Sequence, residues 1–253
     1  MQPSSALQSR LSGYGAMLAL AALGVMGLAA TILAQLTFVS GVRTGLLRQA
    51  LLSQLAAPAV IVVVGALAGA AVADHTGFHS IVHEWGRSGA FEVPDGRAWV
   101  LGGGAGLVVG FVVLAENLAS GVPLGTGARS PLAYALAAIG RLVYLGVGQE
   151  LVLRWGLVSL VASFGFGWFD VANSDSSGRT VAIGSIAVVA IGAALLMAPA
   201  PGAVGAATAA RVFVVNAVPG LVFGWLFWAY ALEVAMVGHV MAHLPIVLAS
   251  LLR

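Results

Sequence analysis

The chain is poor in ionisable groups, so those that fall inside apolar runs stand out. The first is the stretch Gln149-Glu150-Leu151-Val152-Leu153-Arg154, with Arg141 upstream. Helical spacing places Glu150 and Arg154 at i and i+4, on one face and within reach of an ion pair. Gln149 sits about 100° around the same helix. The second group is His239 and His243, again at i and i+4. Two imidazoles on one face can share a metal, shuttle a proton or donate to an oxyanion. Glu233 and Asn216 complete the set, each able to act as an interhelical hydrogen-bonding group without chemistry. Outside the apolar runs, His75, His79 and His83 recur at four-residue spacing beside Asp74 and Glu84. On a helix they would form a stripe suited to a divalent metal. The competing reading is an interfacial amphipathic segment with Phe78, Ile81, Val82 and Trp85 at the headgroup level.

What must position these residues is a membrane. Hydrophobic residues make up 60% of the 253 positions and charged residues only 8%, against roughly one-quarter charged in a soluble domain. A spanning helix needs about 20 mostly apolar residues. Such runs fall near 14–36, 50–73, 98–115, 131–148, 150–167, 180–199, 211–230 and 233–252. The fourth and fifth are nearly continuous and can be one bent helix, so the expected fold is an all-α polytopic bundle of seven or eight transmembrane helices. An ionisable side chain at mid-membrane costs roughly 2.5 to 3.5 kcal/mol on insertion scales, which makes each one that remains a candidate for function. Buried together they need one another or water, so the helices around Gln149 to Arg154, Asn216 and His239 are expected to converge on one polar cavity.

Composition also excludes. With no Cys, disulfides, thiolate nucleophiles and thiolate metal sites are ruled out. All eleven basic residues are Arg and the net charge is only +2, which gives no case for a nucleic-acid partner. The apolar run from Tyr14 to Leu36 exceeds the h-region of a signal peptide and reads as a retained first span. Arg43 and Arg48 follow the first span and Arg87 and Arg97 the second, so the positive-inside rule does not orient the chain. Glycines at four-residue spacing, Gly65 with Gly69, Gly102 with Gly106 and Gly110, and Gly220 with Gly224, permit close helix approach in lipid. Pro58 and Pro219 lie within spans, where kinks are tolerated.

Two segments resemble a known family. Tyr144-Leu-Gly-Val-Gly-Gln-Glu-Leu-Val-Leu-Arg-Trp-Gly-Leu is similar to the Glu-Glu-x-x-x-Arg helix of the CPBP intramembrane proteases, which include the CAAX prenyl proteases and the bacteriocin-processing or Abi proteins. Gly220-Leu-Val-Phe-Gly-Trp-Leu-Phe-Trp, followed by Leu232-Glu-Val-Ala-Met-Val-Gly-His239, resembles that family's last two helices and final His. The resemblance covers roughly residues 130–250. It divides the chain into N-terminal transmembrane helices, 1–129, and a CPBP/Abi-like core, 130–253.

The resemblance implies that the first Glu of the doublet and a His of a Phe-x-x-x-His motif activate water, while a final His-x-x-x-Asn supports the oxyanion. Residue by residue, the first Glu falls on Gln149, the second on Glu150 and the Arg on Arg154. The Phe-x-x-x-His segment falls near Leu195 to Pro199, which contains no His. His239 matches the final His, and His243 stands where the family has Asn or Asp. An amide does not accept a proton from water at neutral pH, and general-base help is typically worth about 10² to 10⁴ in rate. The implied function is a degenerate protease that binds a membrane protein or peptide, or scaffolds a complex, without hydrolysis. The alternative is an active endopeptidase with a rearranged Glu150, His239 and His243 site. No cofactor is required, although His-His-Glu is also a plausible zinc set. Location in the cell membrane is expected, and the absence of an inverted repeat speaks against a transporter.

Overall fold

The computed structural model describes residues 3–36, 44–121, 131–172, 175–200 and 203–251. Arg43 and the division at 129/130 lie outside the described residues. Every regular element described is helical: α1 (Pro3–Leu36), α2 (Thr44–Thr76), α3 (Ile81–Ser88), α4 (Gly96–Ala119), α5 (Pro131–Val143), α6 (Ser159–Phe169), α7 (Ser176–Met197), α8 (Ala206–Ala229) and α9 (Leu232–Leu251). Between α5 and α6 the helix continues through two widened π-helical segments, Tyr144–Gly148 and Leu151–Val158. Residues 131–169 therefore form one span, and seven described helices are long and apolar enough to cross a membrane. The protein is an integral membrane helix bundle. Glu150 falls at the midpoint of the long span, nineteen residues from Pro131 and nineteen from Phe169.

The packing is that of helices in lipid. Ala21, Ala34, Ala66, Ala98, Ala182 and Ala194 are buried, whereas Val100, Val108, Phe111, Phe164, Trp168 and Leu196 point outward. Lipid tails are as apolar as a leucine side chain, so association depends on close backbone approach rather than on hiding large side chains. Each of the spaced glycine sets serves this end. A Cβ on Gly102 would meet Val234 at 2.8 Å, and one on Gly106 or Gly110 would run into the carbonyl of Gly238 or Ala242, so α4 lies directly on α9. A Cβ on Gly220 would meet Ala190 at 2.8 Å, and one on Gly224 would strike Ile186, which fixes α8 on α7. Gly65 and Gly69 admit the backbone of Leu151 and the side chain of Trp155 to α2. Trp155 Nε1 donates to the Ala66 carbonyl at 3.0 Å across the same seam. The described helices of the first half thus pack on those of the second.

The histidine stripe is not realised. His75 ends α2, Gly77 takes a left-handed φ of 63° that stops the helix, and His83 lies on the separate short helix α3. Phe78 and Ile81 are buried while Trp85 is half exposed, so α3 is amphipathic as expected for an interfacial segment. His83 is buried against the ring of Trp155, 5.2 Å between centroids, and burial pushes its pKa below the ordinary imidazole range, with Glu84 opposing. Glu233 fastens α3 to the start of α9. Its Oε1 accepts from Ser80 Oγ at 2.7 Å and from Val82 N at 3.1 Å, and its Oε2 accepts from Ile81 N at 3.0 Å. A carboxylate there matches the positive end of the short helix.

The glycine seam between α4 and α9 gives a first prediction. Gly106→Ile should lower the thermal midpoint of the purified protein and reduce folded yield, since overpacking a filled interface costs about 1–3 kcal/mol or more. Gly104→Ala, where a Cβ meets nothing within 4 Å, should leave both unchanged.

Candidate intramembrane site

The long span, α8 and α9 bring their polar residues together at mid-membrane. The π-helical turns help set this register. The N–H of Gln149 bonds to the Tyr144 carbonyl five residues back, and Ser159 N–H reaches the Arg154 carbonyl in the same way. Such wide turns occur often at functional sites. They leave Glu150 and Gln149 facing different ways.

Glu150 is fully buried. Its Oε1 accepts a 2.6 Å hydrogen bond from His239 Nδ1, and its Oε2 lies 3.3 Å from Arg154 Nε. The second contact has the distance of an ion pair without the alignment of a hydrogen bond, and Oε2 has no directed donor. Arg154 is nearly as deep, 3% exposed. Its Nη2 donates to the carbonyls of Gly220 at 3.2 Å and Pro219 at 3.4 Å, and its guanidinium lies 5.7 Å from the ring centre of Phe223. Phe223 stacks on His239 at 4.8 Å, and His239 stacks on His243 at 5.2 Å. The imidazole of His239 is therefore held by stacking partners and by Glu150.

Beside this cluster lies a cavity of about 260 Å³. At roughly 30 Å³ per water it has room for several waters or a small ligand group. Gln149, Arg154, Asn216, His239 and His243 contribute its polar lining. Glu150 does not reach it and stands behind His239 and Arg154. Asn216 Nδ2 donates to the Val212 carbonyl at 2.7 Å. His243 Nδ1 is buried without a hydrogen-bond partner. Pro219, which also lines the space, has no N–H to give the carbonyl of Val215, another lining residue. The facing wall is α7, which presents Ile186, Val189, Ala190, Ala193 and Met197 and no polar side chain.

The expected convergence of Gln149, Arg154, Asn216 and His239 is thus present in the geometry, with Glu150 one layer back. Glu233 lies apart, in the first turn of α9, where it bonds to Ser80 and the start of α3. Of the segment Leu195 to Pro199, only Met197 borders the cavity, and Pro199 lies past the end of α7. Phe223, whose ring lies against both Arg154 and His239, carries no ionisable group to single it out within its apolar segment. Its place one helical turn after Pro219 on α8 was the available signal.

A zinc set of Glu150, His239 and His243 does not fit this geometry. His239 Nδ1 is engaged by Glu150, the two imidazoles lie nearly parallel, 24° apart, instead of converging, and Arg154 already supplies the carboxylate with a cation. Among the described residues no group of three or more His, Asp or Glu is arranged to hold a metal ion. No protein-family model, no curated protein and no solved structure matches the chain.

The buried ion pair gives the second prediction. Arg154→Met should lower the thermal midpoint more than the double replacement Glu150→Gln with Arg154→Met. Stranding one member of a buried pair typically costs about 3–5 kcal/mol, whereas removing both leaves no charge uncompensated. Equal midpoints in the single and double variants would show that the contact carries no energy.

Proposed function

We propose that the chain is a CPBP-like intramembrane protein of the cell membrane whose site binds a membrane protein or peptide segment without hydrolysing it. The observation that carries this reading is the division of labour between Gln149 and Glu150. The residue that borders the cavity is an amide, which orients water but takes no proton from it. The neighbouring carboxylate, Glu150, is fully buried behind the cavity between His239 and Arg154. The opposite wall on α7 offers no second base. What remains around the space is a set of hydrogen-bond donors and acceptors on one side and an apolar wall on the other, the usual make-up of a binding pocket.

One observation favours a second reading, an endopeptidase. The 2.6 Å contact between Glu150 and His239 is the arrangement by which a carboxylate orients an imidazole. With Nδ1–H donating to Glu150, the Nε2 lone pair of a neutral His239 is free to take a proton from water. The hydroxide oxygen would then attack a peptide carbonyl, forming a C–O bond as the carbonyl π electrons move to oxygen. His239 would return the proton to the amine as the C–N bond breaks.

A cleavage assay decides between them. Purified parent protein, incubated with a panel of tagged membrane proteins and peptides in lipid, should give no products above those of Glu150→Ala. Cleavage by the parent that is lost in both Glu150→Ala and His239→Phe would establish the endopeptidase. Restoring both groups that the resemblance implies for water activation needs a carboxylate at Gln149 and an imidazole on α7, where Ala193 is a position that borders the cavity. Gln149→Glu alone and Ala193→His alone should stay inactive. Only the double variant should gain hydrolysis, because catalytic groups that act as a unit do not add.

A further inference from the structure

We propose that the mid-membrane cavity takes the anionic head, a carboxylate or a phosphate, of a single-chain amphiphile whose tail lies along α7. This rests on the reading of the cavity as a non-hydrolytic binding pocket and goes beyond it by assigning that pocket a lipid-like occupant in addition to the peptide segment.

The polar lining has a pronounced bias. Arg154, Gln149, Asn216, His239 and His243 all bring N–H donors or titratable nitrogens, and no carboxylate borders the space. Glu150, the acid behind them, is already engaged by Arg154 and His239. The cluster therefore holds three basic groups against one carboxylate. No carboxylate faces an incoming head group, so an anion in the cavity would meet donor-bearing side chains at each polar point of the lining. The unpartnered Nδ1 of His243 and the unused N–H groups of Arg154 are the donors such an anion would meet, and hydrogen bonds to a charged group are the stronger kind. Arg141 stands close by, sharing a small void with His243, Tyr134 and Ser250.

The tail follows from the opposite wall. Ile186, Val189, Ala193 and Met197 form an apolar strip along α7, and Met197 is half exposed at its end. A cavity of 260 Å³ holds a head and a short length of one chain, not the glycerol and paired chains of a bilayer lipid. The rest of the tail would lie in the surrounding lipid, where it belongs.

The test uses the full chain in nanodiscs of zwitterionic lipid, with thermal midpoint and saturable binding as readouts. Dodecanoate, dodecyl phosphate, dodecanol, dodecyltrimethylammonium, acetate and inorganic phosphate are the probes. At least one of dodecanoate and dodecyl phosphate should bind saturably and raise the midpoint, and which of them does so identifies the head. Dodecanol, the cationic amphiphile and the short ions should not. His243→Leu and Asn216→Leu should each weaken that binding about tenfold, the loss expected from one hydrogen bond to a charged group. Met197→Trp, at a half-exposed position that tolerates bulk, should weaken it by blocking the tail, while Gly104→Ala should not. Equal binding of dodecanol, or unchanged affinity in all three site variants, would overturn the proposal. The cleavage assay in the same discs separates the two readings. Anion binding accompanied by peptide turnover would overturn only the non-hydrolytic reading. Photocrosslinking of a tagged peptide into the cavity without any anion binding would overturn only the present one.

Discussion

The polar groups at the centre of the long span are organised around a carboxylate placed where a carboxylate is hardest to keep. Glu150 lies at the centre of the longest span with no exposed surface. An isolated ion there would bear a desolvation cost of several kcal/mol even after relaxation. Two groups make it tenable, Arg154 from its own helix and His239 from α9. Each of these in turn needs support. Arg154 finds carbonyls on α8 and the face of Phe223, and His239 finds the same ring and His243. One buried charge thus recruits three helices into a fixed arrangement, and the cavity is the space that arrangement leaves on its donor-rich side.

The bundle can hold that cluster because its helices touch backbone to backbone. In water a surface helix shows a polar and an apolar face, but here small residues line the seams between helices, large side chains such as Val100, Phe111 and Trp168 face outward, and a cluster of large rings, Trp155, Phe223 and Phe227, fills the centre. The glycines of α4, α8 and α2 serve as seats for carbonyls and methyl groups of their neighbours. At the rim, polar contacts take over. Glu233 anchors α3, Arg211 pairs with Glu116 at 2.5 Å between α8 and α4, and Arg87 pairs with Asp74 between α3 and α2.

Local rules made part of this legible in advance. The four-residue spacing of Glu150 and Arg154 reported their ion pair, the length of apolar runs reported the spans, and the glycine spacings reported the seams. The cost of isolated charge was enough to bring His239 and Asn216 to the same place as Gln149. What stayed hidden depends on relations between distant segments. Nothing within Tyr144–Val158 announces two π-helical segments, because apolar spacing alone does not separate an α-helical turn from a π-helical one. The evenly spaced His75, His79 and His83 suggested one helix, yet the left-handed conformation at Gly77 divides them and sends His83 into the core beside Trp155. Glu233 looked like a membrane-buried acid from its apolar neighbours. Its task is to cap a helix more than 140 residues earlier in the chain, and only the fold brings the two together.

The two glycine seams also bear on the shape of the cavity. α4 is seated on α9 and α7 on α8, and the cavity is lined by residues from both pairs and from the long span. The two pairs are joined where α8 gives way to α9. Tyr230 departs from helical dihedrals there, and Leu232 N–H is pinned to the His79 carbonyl at 3.0 Å. Asn216 sits fourteen residues from that joint, a lever arm of about 20 Å at the rise of an α-helix. By that lever arm, each degree of difference in the angle at the joint moves the wall at Asn216 by about 0.4 Å, so the dimensions of the cavity are set as much by the backbone at Tyr230 as by the side chains that line it.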